Sequence, residues 1–321
     1  MTKLLEISTN QIGVFKTLFK TLGKTLINVN MIFCQTDEDN DTLSTNTGFI
    51  KIFEVNSTKS VIVDLRLEAS KFTKFYCAEE KVSIGINLRI FNRLIGIITK
   101  KDISSLTMYI DYNDTKNLKI FAQNEQENNL YCMELLILKD STVIIPPLEI
   151  ESHIIMSSNQ FHKTCKQMCK ISEFIELKCS ENEFIMSCVS AQENTKITQY
   201  ATTNNITHST ENCTTQGTFF LNSIIAFKKL ATMTDTVEIF LECKFPLIIR
   251  YNIPFGRLDS CFSPLNYEGI RNEYPVENDE KIEKENSVLQ KNYKKLEKEN
   301  KNLKIANKYA SELIEALTNK K

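Results

Sequence analysis

The sequence predicts an internally duplicated α+β fold, with two halves rich in short strands and two helices in each half. Three observations carry that expectation. Apolar residues recur at three- and four-residue spacing in four segments. Runs of alternating or β-rich apolar composition lie between them. The order strands, basic helix, strands, basic helix, strands then occurs twice along the chain.

The helical segments are Asn10 to Lys24, Asn87 to Lys101, Asn159 to Lys170 and Phe219 to Ala231. Strand character is plainest at Leu106 to Ile110, Ile175 to Cys179, Val237 to Leu241 and Leu247 to Tyr251, the last following Pro246. Residue identity between the halves is weak, so the duplication rests on element order. Charge and the paired prolines Pro146 and Pro147 interrupt the strand pattern between Leu138 and Leu148, which marks the connector. The expected division is a first domain over 1–137, a connector over 138–150, a second domain over 151–265, a linker over 266–281 and a tail over 282–318. Gln35 to Thr47, rich in Asp, Asn, Ser and Thr, reads as an exposed loop.

With 321 residues and 42% apolar content, each half can bury its own core. No stretch reaches the roughly 18 uninterrupted apolar residues that a membrane span needs. The N-terminus lacks a basic-then-apolar secretion pattern, so a soluble intracellular protein is expected. The ten cysteines form no C-x-x-C pair. Cys132, Cys179, Cys188 and Cys243 sit in apolar runs, which predicts reduced cysteines acting as small core hydrophobes.

From about Asn278 the composition turns to Glu, Lys, Asn and Leu, with a seven-residue repeat at Ile282, Leu289, Leu296, Leu303, Ala310 and Leu317. That is a coiled-coil seam, with a solvated single helix as the alternative. Its other core positions include Asn286, Asn300 and Asn307, and buried asparagine favours a two-stranded register.

Charge is the main functional signal. The four helical segments hold twelve basic residues and no acidic one: Lys16, Lys20, Lys24, Arg89, Arg93, Lys100, Lys101, Lys163, Lys166, Lys170, Lys228 and Lys229. The tail from Val276 is nearly balanced, with eleven basic and nine acidic residues, which leaves sixteen basic against thirty-one acidic elsewhere. Lys16, Lys20 and Lys24, like Lys163, Lys166 and Lys170, fall on single helix faces. A positive face without acids attracts phosphates through counterion release, whatever the base sequence. Lysine suits that task, because its ammonium is a point charge without the planar fork used in base reading.

Catalytic readings find no support. His153, His162 and His208 have no partners at metal or triad spacing, and no nucleophile elbow, P-loop or dinucleotide fingerprint is present. His162 is expected to make a polar contact on a basic helix. The sequence predicts no catalytic residue, no metal and no cofactor.

Several segments resemble, in order, the eukaryotic-type DNA polymerase sliding clamps of the proliferating cell nuclear antigen family. They are Asn87-Leu88 leading into a basic helix, Tyr131-Cys-Met-Glu-Leu135 running to Pro146, Ser152 to Phe161, Thr218-Phe219 leading into another basic helix, Phe245 to Tyr251, and Leu258 to Pro264. The resemblance covers roughly residues 3 to 265 and is specific through ordered co-occurrence. It implies a DNA clamp fold of two similar domains, with antiparallel sheets outside and two basic helices each inside, three chains closing a homotrimeric ring. It also implies double-stranded DNA, a DNA polymerase and a clamp loader as partners. Lys16, Lys20, Arg93, Lys163, Lys166 and Lys229 fall at or beside the family's DNA-facing positions.

The subunit contact carried over pairs a strand near Gln126 to Glu134, with Tyr131 and Met133, with one near Asn194 to Thr202, with Lys196, Ile197 and Thr198. A partner-peptide groove maps to Val143, Ile144, Ile145 and Pro146, walled by Ile62, Pro246, Cys261 and Pro264, the alternative being a buried linker. Cys261 stands where the family usually has a pocket tyrosine, and Glu181 where many members have a modifiable lysine. The Lys-, Asn- and Ile-rich composition, the loop at Gln35 to Thr47 and the long tail suggest a divergent member, for which a large DNA virus is the expected source and the nucleus or a viral replication site the expected location. Alternatives are a clamp-fold subunit of a heteromeric checkpoint-like ring, a viral transcription accessory factor, or a coiled-coil adaptor, which leaves the charge bias unexplained. The tail would have a coiled-coil partner of its own.

Overall fold

Alternation shapes several of the strands, and Val61-Ile-Val-Asp-Leu-Arg-Leu-Glu68 shows it most plainly. Val61, Val63, Leu65 and Leu67 are buried, while Ile62, Asp64 and Arg66 are half-buried and Glu68 is exposed. A period of two sends these sets to opposite faces of a sheet. The computed structural model describes residues 2–35, 48–98, 103–124, 128–139, 152–180, 183–189, 196–201, 206–208 and 214–265. The connector from Val143 to Pro146, Lys100, Glu181, the polar loop from residue 36 to 47 and the coiled-coil seam lie outside the described residues.

The first half contains β1 (Lys3–Thr9), α1 (Ile12–Leu22), β2 (Asn28–Cys34), β3 (Phe49–Val55), β4 (Val61–Glu68), β5 (Lys74–Cys77), β6 (Lys81–Asn87), α2 (Leu88–Ile98), β7 (Ser105–Asp111), β8 (Asp114–Gln123) and β9 (Asn128–Glu134). The second contains β10 (Ser152–Ser157), α3 (Ser158–Met168), β11 (Phe174–Ser180), β12 (Glu183–Val189), β13 (Lys196–Ala201), β14 (Ile206–His208), β15 (Thr215–Phe220), α4 (Leu221–Ile225), β16 (Thr236–Leu241), β17 (Leu247–Ile253) and β18 (Gly256–Phe262). Each half therefore runs one strand, a helix, five strands, a helix and three strands.

The strands form three antiparallel sheets, ordered β5-β1-β7-β8-β9, β14-β10-β16-β17-β18-β4-β3-β2-β6 and β13-β12-β11-β15. The nine-stranded sheet is a composite. Its β14-to-β18 part repeats the five-stranded sheet of the first half, and its β4-to-β6 part repeats the four-stranded sheet of the second. The join is β18 against β4, from Gly256 opposite Leu67 to Phe262 opposite Val61.

The repetition extends to register. The row Ile7, Met108, Ile120, Tyr131 corresponds to Ile154, Ile239, Ile249, Ser260. The row Phe33, Ile50, Leu67 corresponds to Cys179, Phe184, Ala201.

One continuous apolar core runs through both halves. Phe15 and Phe19 of α1 pack on Phe91 of α2, and Phe255 from the β17–β18 hairpin reaches Phe15 with ring centroids 5.9 Å apart. Two glycines are required sterically. Gly256 has φ +149°, and a Cβ there would stand 2.3 Å from the Arg66 carbonyl oxygen. At Gly85 a Cβ would stand 2.3 Å from the Leu136 oxygen, where the chain leaving β9 crosses β6.

Two expectations need correction. Phe219 to Ala231 is not one helix: Phe219 and Phe220 close β15, opposite Ile175 and Phe174, α4 is a short turn, and Lys228–Thr232 forms a separate 3-10 turn. Strand pairing of the two phenylalanines overrides the apolar helical spacing. Cys179 and Cys188 are buried, whereas Cys132 is exposed on the edge strand β9 and Cys243 is half-buried. The nine described cysteines are free thiols.

Candidate nucleic-acid interface

Each long helix buries one face and turns cations outward. In α1, Phe15, Leu18, Phe19 and Leu22 are buried, Lys20 and, just beyond it, Lys24 are exposed, and Lys16 is half-buried. In α3, Phe161, Cys165 and Met168 are buried while Lys163, Lys166 and, one turn on, Lys170 are exposed. Ser157 caps α3, its hydroxyl accepting from the Gln160 N–H. In α2, Arg89 and Arg93 are exposed, but Ile90 and Ile97 are about half exposed beside them. That face is therefore mixed rather than uniformly positive. Lys228 and Lys229 are half-buried on the 3-10 turn, where the sequence expected a helix face.

The structure brings the two halves' cations together. Lys24 Nζ donates to the Ala226 carbonyl at 3.3 Å, at the C-terminal end of α4, where the helix dipole favours a cation. Partial desolvation, then the like charges of Lys229, Lys228 and Lys20, hold the Lys24 ammonium below its usual range. Clustered cations that depress one another are poised to gain from a polyanion. The basic faces thus belong to packed elements, with α1 against α2 and the 3-10 turn, and α3 against α4.

His162 faces away from this surface. It is buried, with Nε2 3.1 Å from the Tyr251 hydroxyl, and desolvation lowers its pKa to about 4. Among the described residues no three His, Cys, Asp or Glu side chains converge as a metal site, and no helix is long and apolar enough to cross a membrane.

Of the groove residues, Ile62 and Cys261 stand opposite each other at the β18–β4 join, in a row with Phe240, Ile248 and Val55. Cys261 is buried, and Ile62, Pro246 and Pro264 are half-buried. Burial, then the charges of Asp259 and Asp64, pushes the Cys261 thiol up to about 12. The next row on this face holds Glu238, Arg250, Asp259 and Asp64, which sequence reading missed. Their signal was present as a lone charge in the otherwise apolar β16 and β17 and as alternating charges in β4 and β18.

The expected subunit-contact strands are both sheet edges: β9 ends the five-stranded sheet and β13 the four-stranded one. Tyr131 and Ile197 are partly buried against the core, Thr198 is half-buried, and Met133 points inward at 4% exposure. Leu130 and Tyr200, which the sequence did not single out, are 54% and 66% exposed on these edges.

Duplicated halves, a composite outer sheet and outward-turned basic helices define a clamp fold. The proliferating cell nuclear antigen N-terminal domain profile matches residues 4–142 and the C-terminal domain profile matches residues 144–265, and the chain belongs to that family. The probable DNA polymerase sliding clamp of Acanthamoeba polyphaga mimivirus is 25% identical over 295 residues, covering 82% of this chain and 62% of that protein, so the chain spans under two thirds of that relative. The probable DNA polymerase sliding clamp 1 of Paramecium bursaria Chlorella virus 1 is 25% identical over 273 residues, covering 82% of this chain and 97% of that protein. The crystal structure of proliferating cellular nuclear antigen from Entamoeba histolytica superposes with a TM-score of 0.70 at 20% identity, covering 82% of this chain and 99% of that chain.

Proposed function

We propose that this chain is a DNA polymerase sliding clamp: three copies close a ring around duplex DNA, hold it through basic helices and tether a polymerase at the outer groove. It is a scaffold, loaded onto DNA by a clamp loader and working where viral DNA is replicated or in the host nucleus. The observation that carries the reading is the β18–β4 join. By the internal repeat, β9 is the counterpart of β18 and β13 the counterpart of β4, and both are unpaired edges among the described residues. The pairing made once within the chain can be repeated between copies, which leaves no such edge open in a closed ring. Transferring the register places Tyr131 opposite Ile197 of the next copy, Leu130 opposite its Thr198 and Asn129 opposite its Gln199.

The helix cations supply a sequence-independent grip on phosphate. The apolar row at Ile62 and Cys261, with Val143 to Pro146 of the connector and the prolines at 246 and 264, supplies the docking groove.

Cross-linking tests ring closure and register together. Leu130→Cys with Thr198→Cys, in a Cys132→Ser background, should give a covalent series ending at three chains under a short bifunctional maleimide, and either cysteine alone should not. A monomer by light scattering at micromolar concentration, with no cross-linked product, would refute the ring.

A further inference from the structure

We propose that Asp64 is a recognition residue of the outer groove, taking a lysine or arginine from a docking peptide whose apolar side chains lie on the Ile248, Cys261 and Ile62 row. This rests on the groove assigned under the proposed function. It adds what that groove selects.

The charges on this face are unevenly matched. Arg250 Nε and Nη2 donate to the two carboxylate oxygens of Asp259 at 2.9 and 3.0 Å, and Nη1 lies 4.0 Å from Glu238. Arg257 Nε lies 3.5 Å from Asp259 as well. Two other cations lie over aromatic rings, Lys51 Nζ 5.7 Å from the Phe53 centroid and the Arg66 guanidinium 3.8 Å from that of Phe49. Asp64, opposite Asp259, is left without an ion pair or a side-chain hydrogen bond among the described residues. Burial, with Asp259 adding to it, raises its carboxyl pKa, although Lys51, Arg257 and Arg66 act against that rise. A half-buried carboxylate without a contact partner gains more from an incoming cation than a solvated one does.

The fold does not require these charges. The corresponding positions in the repeat are Thr107 for Glu238, Phe121 for Arg250, Leu130 for Asp259 and Thr198 for Asp64, all neutral. The apolar row differs in the opposite sense, since the counterparts of Ile248 and Ile62 are Lys119 and Lys196. Of the two counterpart positions, the β18–β4 join is the one that combines an apolar strip with a carboxylate one row away, roughly 7 Å along the strand. A peptide with apolar anchors and a neighbouring cation fits there, whereas the counterpart row has no such apolar strip, and its Lys119 is already ion-paired with Asp111 and Asp114.

A random 16-residue phage library panned on the full chain tests this. Wild-type protein should enrich Lys or Arg at a fixed offset from an apolar anchor pair. With Asp64→Asn that basic position should fall to library frequency while the anchors persist, and a peptide selected on wild type should bind about tenfold more weakly. Asp64→Lys should select Asp or Glu at the same offset. Equal enrichment of the basic position on wild type and Asp64→Asn would overturn the proposal while leaving the groove intact. If Ile62→Asp, folded by circular dichroism, selects the same anchored peptides as wild type, the groove reading itself fails.

Discussion

His162 Nε2 lies 3.1 Å from the Tyr251 hydroxyl, and the two rings stack with centroids 5.8 Å apart and planes 14° apart. This pair joins α3 to β17 inside the second half. Tyr251 stacks in turn with Phe227, so the polar pair sits within an aromatic layer.

Burial lowers the His162 pKa to about 4, from about 6.5 in an unfolded chain. The unfolded state therefore takes up a proton first as pH falls. The neutral imidazole's contribution is fully present above about pH 6.5 and is lost on the way down to about pH 4, with a ceiling of about 3 kcal/mol. Urea unfolding at pH 7.5 and 4.5 should show wild type losing about 2–3 kcal/mol more than His162→Phe, which cannot titrate. Equal losses in the two proteins would show that His162 titrates normally.

Replacing Lys16, Lys20, Lys163 and Lys166 with Glu should weaken retention on closed circular DNA and flatten its salt dependence, by up to about 0.9 in log–log slope for each lysine that contacts phosphate. Chain association should be unchanged, because the proposed contact between copies is made by β9 and β13 and not by α1 or α3. Retention would be followed by gel filtration of nicked and linearised circles across a salt series. An unchanged slope would place the duplex elsewhere.

Gly85 and Gly13 should respond oppositely to alanine. A Cβ at Gly85 meets the Leu136 oxygen at 2.3 Å, so Gly85→Ala should cost about 1–3 kcal/mol. At Gly13 on the exposed face of α1 nothing lies within 4 Å, so Gly13→Ala should stabilise by about 0.5–1 kcal/mol. Denaturant midpoints at constant m-value read both effects.

Charge in the groove should separate docking from ring formation. Val143→Asp with Ile145→Asp in the connector, and separately Ile62→Asp on β4, should abolish stimulation of a cognate polymerase, since a carboxylate facing apolar anchors is left desolvated. Sedimentation should show the assembly unchanged. Normal stimulation by both variants would remove this face as the docking site.

The strand-rich halves, the first three helices and the lysine faces of α1 and α3 were legible because alternation, helical spacing and one-signed charge are local properties of sequence, whereas the exposed Ile90 and Ile97 make the α2 face mixed. The fourth helix was misread because Phe219 and Phe220 satisfy a helical pattern and a strand pattern equally, and only pairing with β11 decides between them. The Arg250–Asp259 pair was invisible for a different reason: its partners sit on adjacent strands and acquire meaning only through the register of β17 against β18. The composite sheet was likewise beyond reach, since no local pattern says that β18 pairs with a strand from the other half.

The tail poses the last question. Its seam from Ile282 to Leu317 would be about 54 Å long as a helix. Asn286, Asn300 and Asn307 at core positions favour two-stranded pairing, which mismatches a threefold ring. The tail should therefore pair with another protein or with another ring, leaving DNA encirclement to the unit from Met1 to Tyr267. Deleting Val276 to Lys321 should leave the body's mass in light scattering at three chains and its loading on circular DNA intact, while removing ring-to-ring association or one binding partner. If the truncated chain sediments as a monomer, the tail is the oligomerisation element, and the edges at β9 and β13 do not hold the ring closed.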